Sequence, residues 1–341
     1  MPVDAIRDAV RQLARRESLT TAQSAAAFRA VMEGDGTPAL IGAMLAALRV
    51  KGETSDEIAG AAMALRAAMT TLEASNADAL VDTCGTGGGI VGTFNISTAA
   101  ALVAAGAGVR IAKHGNRSFT TKCGSADVLE ALGVNIDIPV ERMAGVLDAA
   151  GIVFMFAPTM HPAMRHVGPV RRELGIETVM NMVGPLANPA RAGRQVVGVS
   201  DPARADLMAG ALATLGTVHS LVVHGEPGMD EISPLGRTTV IEIRGAETTR
   251  WVIDPATFGF AAVQASELAG GSPAENAAVI ASILDGKGTA GALAAVLLNA
   301  AAAIYVAGNA PTLETAIIDA RKSLESGRAL ASLNSLRAAS R

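Results

Sequence analysis

Residues 85–98, GTGGGIVGTFNIST, place five glycines, three threonines, an asparagine and a serine in fourteen positions. The run lies between an apolar stretch ending at Val81 and an alanine-rich stretch starting at Ala99. Strand before and helix after is the context in which glycines let backbone N–H groups approach an oxyanion, while the helix N-terminus adds its positive end. Such a loop suits a phosphate or diphosphate. No Gly-Lys-Ser/Thr closes it, so it is not a Walker loop, and Gly85, Gly87 and Gly88 do not make the dinucleotide fingerprint G-x-G-x-x-G. A tight strand-to-helix connection would use similar residues, so the neighbouring motifs must decide.

Three such motifs follow. KHGNRSFTTKCGSAD, 113–127, brings Lys113, His114, Arg117 and Lys122 together with Asn116, Ser118, Thr120 and Thr121. Read as one loop after a strand, it offers a second anion site where strand ends of an open α/β sheet face a ligand crevice; the alternative is a solvated basic loop. HGEPGMDEIS, 224–233, sets Asp230 beside Glu231 after another strand, an oxygen pair able to hold Mg²⁺ with water and ligand phosphates, or simply a solvated acidic turn. HPAMRHVGPVRRELG, 161–175, reads as a helix carrying His161, Arg165, His166, Arg171 and Arg172 in apolar surroundings. One of these guanidinium groups could match a carboxylate bidentately, and at least one belongs on the surface.

The elements that position these groups have two textures. Up to about Leu72 the pattern is helical, with PALIGAMLAALRV followed by a capping-box pair, Thr54 and Glu57, opening DEIAGAAMALRAAM. From Ala79 short apolar strands alternate with helices: ALVDTCG, STAAALVAAGAG, VRIAKHG, SADVLEALGV and GIVFMFAP, then QVVGVS, HSLVVHG, TTVIEIR and RWVID. That alternation predicts an α/β fold with a parallel or mixed sheet covered by helices. The rhythm breaks between Pro158 and Pro189, where the chain is expected to return to the helical N-terminal part. The division expected is 1–72, with 161–186 packing on it, against 73–160 plus 187–341.

Composition narrows the classes. The chain has 341 residues, half of them hydrophobic, enough for a large core in one large and one smaller domain. A net charge of −4, with acids and bases scattered, gives no sign of a nucleic-acid or anionic-membrane partner. The first twenty residues mix acids and arginines and do not read as a secretory signal; two cysteines, Cys84 and Cys123, suit a reducing cytoplasm. AGALAAVLLNAAAAIYVAG, from Ala290 to Gly308, is apolar enough for a membrane span, but its alanines and interior Asn299 favour a buried core helix.

GTGG followed by TFNIST, KHGNRS with GSADVLEALGV, HPAMR with PVRRELGI and NMVGPLANP, and then MDEIS, in that order and spacing, resemble the anthranilate phosphoribosyltransferase family. IGAMLAALRVKGET is similar to that family too, and the resemblance spans about residues 1–335. It implies transfer of the phosphoribosyl group of 5-phosphoribosyl 1-diphosphate to anthranilate with Mg²⁺, in tryptophan biosynthesis. It also implies a nucleoside-phosphorylase-like phosphoribosyltransferase fold, with a small helical domain, a large α/β domain with a mixed central sheet, and a cytoplasmic homodimer formed through the helical domains.

Residue by residue, the resemblance assigns the donor to Gly85, Thr86, Gly87, Gly88, Thr93, Asn95, Ile96, Ser97 and Thr98, and to Lys113, His114, Gly115, Asn116, Arg117, Ser118 and Cys123. The hydroxyl-bearing residues after Ser118, Thr120 and Thr121 among them, would close on the donor phosphates. Anthranilate would meet Gly85, His114, Asn116 and Arg171, the last pairing with its carboxylate. Ser97, Asp230 and Glu231 would bind magnesium, and no residue is assigned as acid or base. Two positions depart from the family pattern: Gly89 and Ile90 stand where Asp-Gly is usual, and Cys123 where serine is common. A pyrimidine nucleoside phosphorylase would share the fold but should lack the segment from HPAMR to VRRELG, and a nucleic-acid-binding relative should show a basic face.

Overall fold

The computed structural model describes residues 2–118 and 122–341; Thr120 and Thr121 lie outside the described residues. Four helices open the chain: α1 (Pro2–Ala14), α2 (Thr21–Glu33), α3 (Pro38–Lys51) and α4 (Ser55–Ala68). Each later start has a local cause. Thr20, Thr37 and Thr54 accept hydrogen bonds from backbone N–H groups of the first turn, and Gln23 and Glu57 complete capping boxes on α2 and α4. Glu57 also ties three segments together, accepting from Leu19 N at 2.9 Å and forming a buried ion pair with Lys51 at 3.0 Å.

Among the described residues seven strands follow: β1 (Val81–Gly85), β2 (Ile111–Gly115), β3 (Ile152–Phe156), β4 (Arg194–Gly198), β5 (His219–Gly225), β6 (Thr238–Arg244) and β7 (Glu247–Ile253). They form one sheet in the order β3-β2-β1-β4-β5-β6-β7, parallel from β3 to β5, with β6 and β7 added as an antiparallel hairpin. The sheet is therefore mixed, as the alternation predicts. From β1 the chain crosses to β2 on one side and later returns to β4 on the other. The carboxyl ends of β1 and β4 thus flank the topological switch point, where open α/β sheets leave a crevice.

Two apolar cores cover the sheet. One packs helix α5 (Ile96–Gly106) and the C-terminal helices against one face, with Leu102, Leu129, Phe154 and Leu298 buried in it. The other joins α1–α4 to Val197, Val222, Ile241 and Ile243 of the sheet, and to Val199 just past β4, through Met208 and Leu212. Ala163, Val167, Val170, Met182 and Leu186 belong to that second core, so the 161–186 segment packs among the N-terminal helices. Its local structure differs from the single helix expected. A 3-10 turn, Pro162–Arg165, and a short helix, Gly168–Leu174, each carry proline in the first turn, where its missing N–H is tolerated while continuation from the preceding helix is blocked.

The helix Ala290–Ala307 is long and apolar enough to cross a membrane, yet most of it is buried in the first core. Its interior Asn299 has a definite task. Oδ1 accepts from Ile232 N at 2.9 Å, and Nδ2 donates to the carbonyls of Ile232 and Ala295, each at 2.9 Å. The segment just after Asp230 and Glu231 is thereby held from below. Asn299→Leu should cost about 2–4 kcal/mol in urea unfolding, because both backbone groups of Ile232 lose partners inside the core.

Candidate active site

The glycine loop leaves β1 at Gly85, which stands opposite Gly198 at the end of β4. Gly198 has no room for a side chain, since a Cβ there would lie 1.6 Å from the carbonyl oxygen of Asp230. The turn carrying the two acids can therefore lie directly on the ends of β1 and β4. Asp230 Oδ2 accepts from Gly87 N at 2.8 Å, and Glu231 Oε1 accepts from Ser97 N at 3.1 Å, in the first turn of α5. Thr86 N donates to the carbonyl of Gly198 at 2.9 Å, and Ser200 Oγ donates to the carbonyl of Gly87 at 2.8 Å. Loop, helix start and acidic turn form one rim.

Electrostatics on this rim are unbalanced. Burial raises the Asp230 carboxyl above its ordinary value, and burial together with the charge of Asp230 pushes Glu231 up to about 8. Two desolvated carboxylates side by side, with the Ser97 hydroxyl at the same helix start, form a hard-oxygen set that a divalent cation would relieve. Among the described residues no cluster of three or more His, Cys, Asp or Glu closes a metal cage. The donor set fits an open Mg²⁺ site completed by water and ligand oxygens, the arrangement that ion tolerates.

The second motif is divided differently from the single loop expected. Lys113 and His114 belong to β2, and Lys113 points beneath the glycine loop, almost wholly buried. Its Nζ donates to the carbonyl of Thr83 at 2.6 Å and to Ser97 Oγ at 3.4 Å; burial lowers its pKa, opposed by the charges of Asp82 and Glu231. Arg117 is not a bare loop cation either. It pairs with Asp127 at 2.8 Å and with Glu130, and lies over the Phe156 ring. Gly115 ends β2, and Asn116 Oδ1 accepts from Arg117 N at 2.8 Å. Asp127 gathers Ser118 N and Gly124 N, at 3.2 and 2.8 Å, and so closes the base of the loop.

Several of the other residues expected at the donor also make contacts within the protein. Ile96 and Thr98 are buried, so the Ile96 side chain serves the core, and the Thr98 hydroxyl is buried without a partner among the described residues. Thr93 is half-buried and bridges to Ala269 through its backbone. Asn95 Oδ1 accepts from Asn276 Nδ2 at 2.9 Å, and Asn95 Nδ2 donates to the carbonyl of Cys123 at 3.1 Å, which fastens the glycine-loop segment to the 113–127 segment. Cys123 is buried with its Sγ 3.3 Å from Asn95 Oδ1. Cys84 and Cys123 are both thiols.

On the facing side, Arg171 is half-buried and Nη2 donates to Asn181 Oδ1 at 3.2 Å, whereas Arg165 and Arg172 are exposed. His161 Nε2 lies 3.2 Å from His114 Nε2, with the rings edge to face. Burial pushes His161 down to about 4 and His114 to about 3, so both imidazoles are neutral near pH 7. An unfolded His161 takes up a proton below about pH 6.5 while the native one does not. Stability must then fall with acidification between those values, by at most about 1.4 kcal/mol per pH unit from this residue. Urea unfolding at pH 7.5 and 5.0 should show a shallower acid loss in His161→Gln than in the parent chain.

Sequence reasoning passed over Asp82, Asn188, Ser200, Asn181 and Asn276. Asp82 is buried, accepting from His114 N at 3.2 Å and from Asn188 Nδ2 at 2.8 Å, and Asn188 also donates to the carbonyl of Ala112. Its signal was the lone charge inside the apolar strand ALVDTCG, which demands partners when buried.

The comparisons with known proteins agree with this geometry. Family models described as the glycosyl transferase family a/b domain and helical bundle domain match residues 77–330 and 7–69. An anthranilate phosphoribosyltransferase of Roseiflexus sp. (strain RS-1) is 50% identical over 338 residues, 98% of each chain. One from Methanosphaerula palustris is 48% identical, covering 98% of this chain and 99% of its own. Among solved structures, the Thermus thermophilus enzyme superposes with a TM-score of 0.92 at 42% identity, covering 98% of this chain and 99% of that one. The Saccharomyces cerevisiae enzyme in complex with PRPP and Mg gives 0.89 at 28% identity, covering 98% and 97%. The chain belongs to the anthranilate phosphoribosyltransferase family.

Proposed function

We propose that this protein transfers the phosphoribosyl group of 5-phosphoribosyl 1-diphosphate to the amine of anthranilate, releasing diphosphate, as a step of tryptophan biosynthesis. The observation that carries the reading is the convergence of the glycine loop and the Asp230–Glu231 pair on the switch point between β1 and β4, in a chain half identical to an enzyme of that name.

The reaction breaks the anomeric C–O bond, forms a C–N bond and gives up one amine proton, which the departing diphosphate can accept. Ser97, Asp230 and Glu231 would hold Mg²⁺, which when bound neutralises charge on the departing diphosphate. The Gly88 N–H, the Gly87 N–H once released from Asp230, and the positive end of α5 would serve the same leaving group where negative charge develops. Lys113 acts from underneath: it holds the Ser97 hydroxyl and supplies the countercharge for Glu231. Asn116 and Arg171 would orient anthranilate, Arg171 through its carboxylate, with the neutral His114 beside them. An aromatic amine attacks with its own lone pair and becomes acidic once bonded, so alignment and exclusion of water replace a strong base.

The same reading includes a helical domain of 1–72 with 161–186 and an α/β domain of 73–160 with 187–341, supported by the apolar residues of 161–186 that pack among the N-terminal helices. It includes a cytoplasmic homodimer formed through the helical domains, for which light scattering should give twice the chain mass. Loss of anthranilate fluorescence on mixing protein, anthranilate, 5-phosphoribosyl 1-diphosphate and Mg²⁺ tests the activity. Loss that needs all four components supports it, and none across a wide range of donor and metal overturns it.

A further inference from the structure

The glycine loop is fastened to the acidic turn at two points. One is the hydrogen bond from Gly87 N to Asp230 Oδ2, at 2.8 Å. The other is Ile90. Its N–H donates to the carbonyl of Gly228 at 3.1 Å, and its side chain lies over the same glycine, where a Cβ would come within 3.0 Å of Cγ1 and 3.2 Å of Cδ1. Ile90 is otherwise 77% exposed, an apolar β-branched side chain placed at the tip of a loop rich in glycine.

These two ties differ in what a ligand does to them. The Gly87 N–H is a donor the cradle would offer to a diphosphate, and the Asp230 carboxylate is an oxygen ligand it would offer to Mg²⁺. On the reading proposed above, that first tie is lost when the diphosphate takes the single Gly87 N–H, whichever Asp230 oxygen the metal engages. The Ile90–Gly228 contact involves neither group and survives.

We propose that Ile90 is a positioning residue: by clamping the glycine loop onto Gly228 it keeps the loop N–H groups in register with the acidic turn when the Gly87 N–H passes from Asp230 to the diphosphate. The clamp has two components. The side chain supplies apolar contact with the Gly228 backbone, and its branching at Cβ restricts a segment whose neighbours at 87–89 and 92 are all glycine, lowering the entropy lost when the loop orders.

Calorimetric titration with inorganic pyrophosphate in the presence of Mg²⁺ tests this without turnover. Ile90→Ala should weaken pyrophosphate binding about fivefold, Ile90→Gly further, and Ile90→Val by less than about twofold, with melting temperatures unchanged because the side chain is mostly in water. Gly228→Ala, which must displace Ile90, should weaken binding more in the parent than in an Ile90→Ala background; backbone strain at Gly228 is common to both. Equal pyrophosphate affinity in the parent, Ile90→Ala and Ile90→Gly overturns the clamp. A parent protein that binds no pyrophosphate overturns the diphosphate cradle itself, and the proposed function with it.

Discussion

An Asp230→Asn, Glu231→Gln double variant should fold normally and lose at least about a thousandfold in turnover. Both substitutions keep an oxygen where Gly87 N and Ser97 N now find one, so the loop and helix start retain their hydrogen bonds. What disappears is the negative charge that would hold a cation against the leaving diphosphate. The charges themselves burden the metal-free fold, for burial raises both carboxyls and Glu231 reaches about 8. In EDTA the variant should therefore melt at or above the parent temperature. Added Mg²⁺ should raise the melting temperature of the parent and leave that of the variant unmoved. Thermal scans with and without Mg²⁺, beside the fluorescence assay, separate this from misfolding: a variant that melts lower and is inactive would point to a structural role for the pair.

Arg171→Ala should raise KM for anthranilate about a hundredfold with a much smaller change in turnover, and Arg171→Lys should recover little of it. A bidentate guanidinium–carboxylate pair contributes two charge-assisted bonds in a fixed fork, which an ammonium on a flexible stem cannot reproduce. Among the described residues, the one side-chain hydrogen bond of Arg171, to Asn181, leaves most of the guanidinium edge available, and half-burial at 171 reduces competition from water. Removing the carboxylate from the acceptor is the complementary experiment. Aniline should be a poor acceptor for the parent, and its disadvantage relative to anthranilate should nearly vanish in Arg171→Ala. An unchanged preference for anthranilate would place the carboxylate elsewhere.

The architecture was legible because its signals are local and repeated. The Thr54–Glu57 capping box, a helical pattern up to Leu72, and strands alternating with helices after Ala79 mark the helical start and all seven strands. The break at Pro158 and Pro189 marks the excursion whose apolar residues share a core with the N-terminal helices. The interior of the site was less legible. Lys113 and Arg117 look alike in the string KHGNRS, yet one lies in β2 with its side chain under the loop and the other pairs with Asp127 and Glu130 in the open. Only tertiary pairing separates them, because the facing acids come from helix Ser125–Ala131 in one case and from β1 and the 230–231 turn in the other. Asn95 likewise carries the composition of a phosphate-loop residue, while its amide is taken up by Cys123 and Asn276, the latter 181 residues away. Gly89 and Ile90 were visible as departures, but not the reason Ile90 matters, which lies in the backbone of Gly228.

The most direct test of the central claim is the stoichiometry of the products. Mass spectrometry and a pyrophosphate assay on a reaction of anthranilate, 5-phosphoribosyl 1-diphosphate and Mg²⁺ should find one N-(5-phosphoribosyl)anthranilate and one diphosphate for each anthranilate consumed. Diphosphate released without the anthranilate adduct, or anthranilate left intact while a pyrimidine nucleoside is cleaved by phosphate, would contradict it.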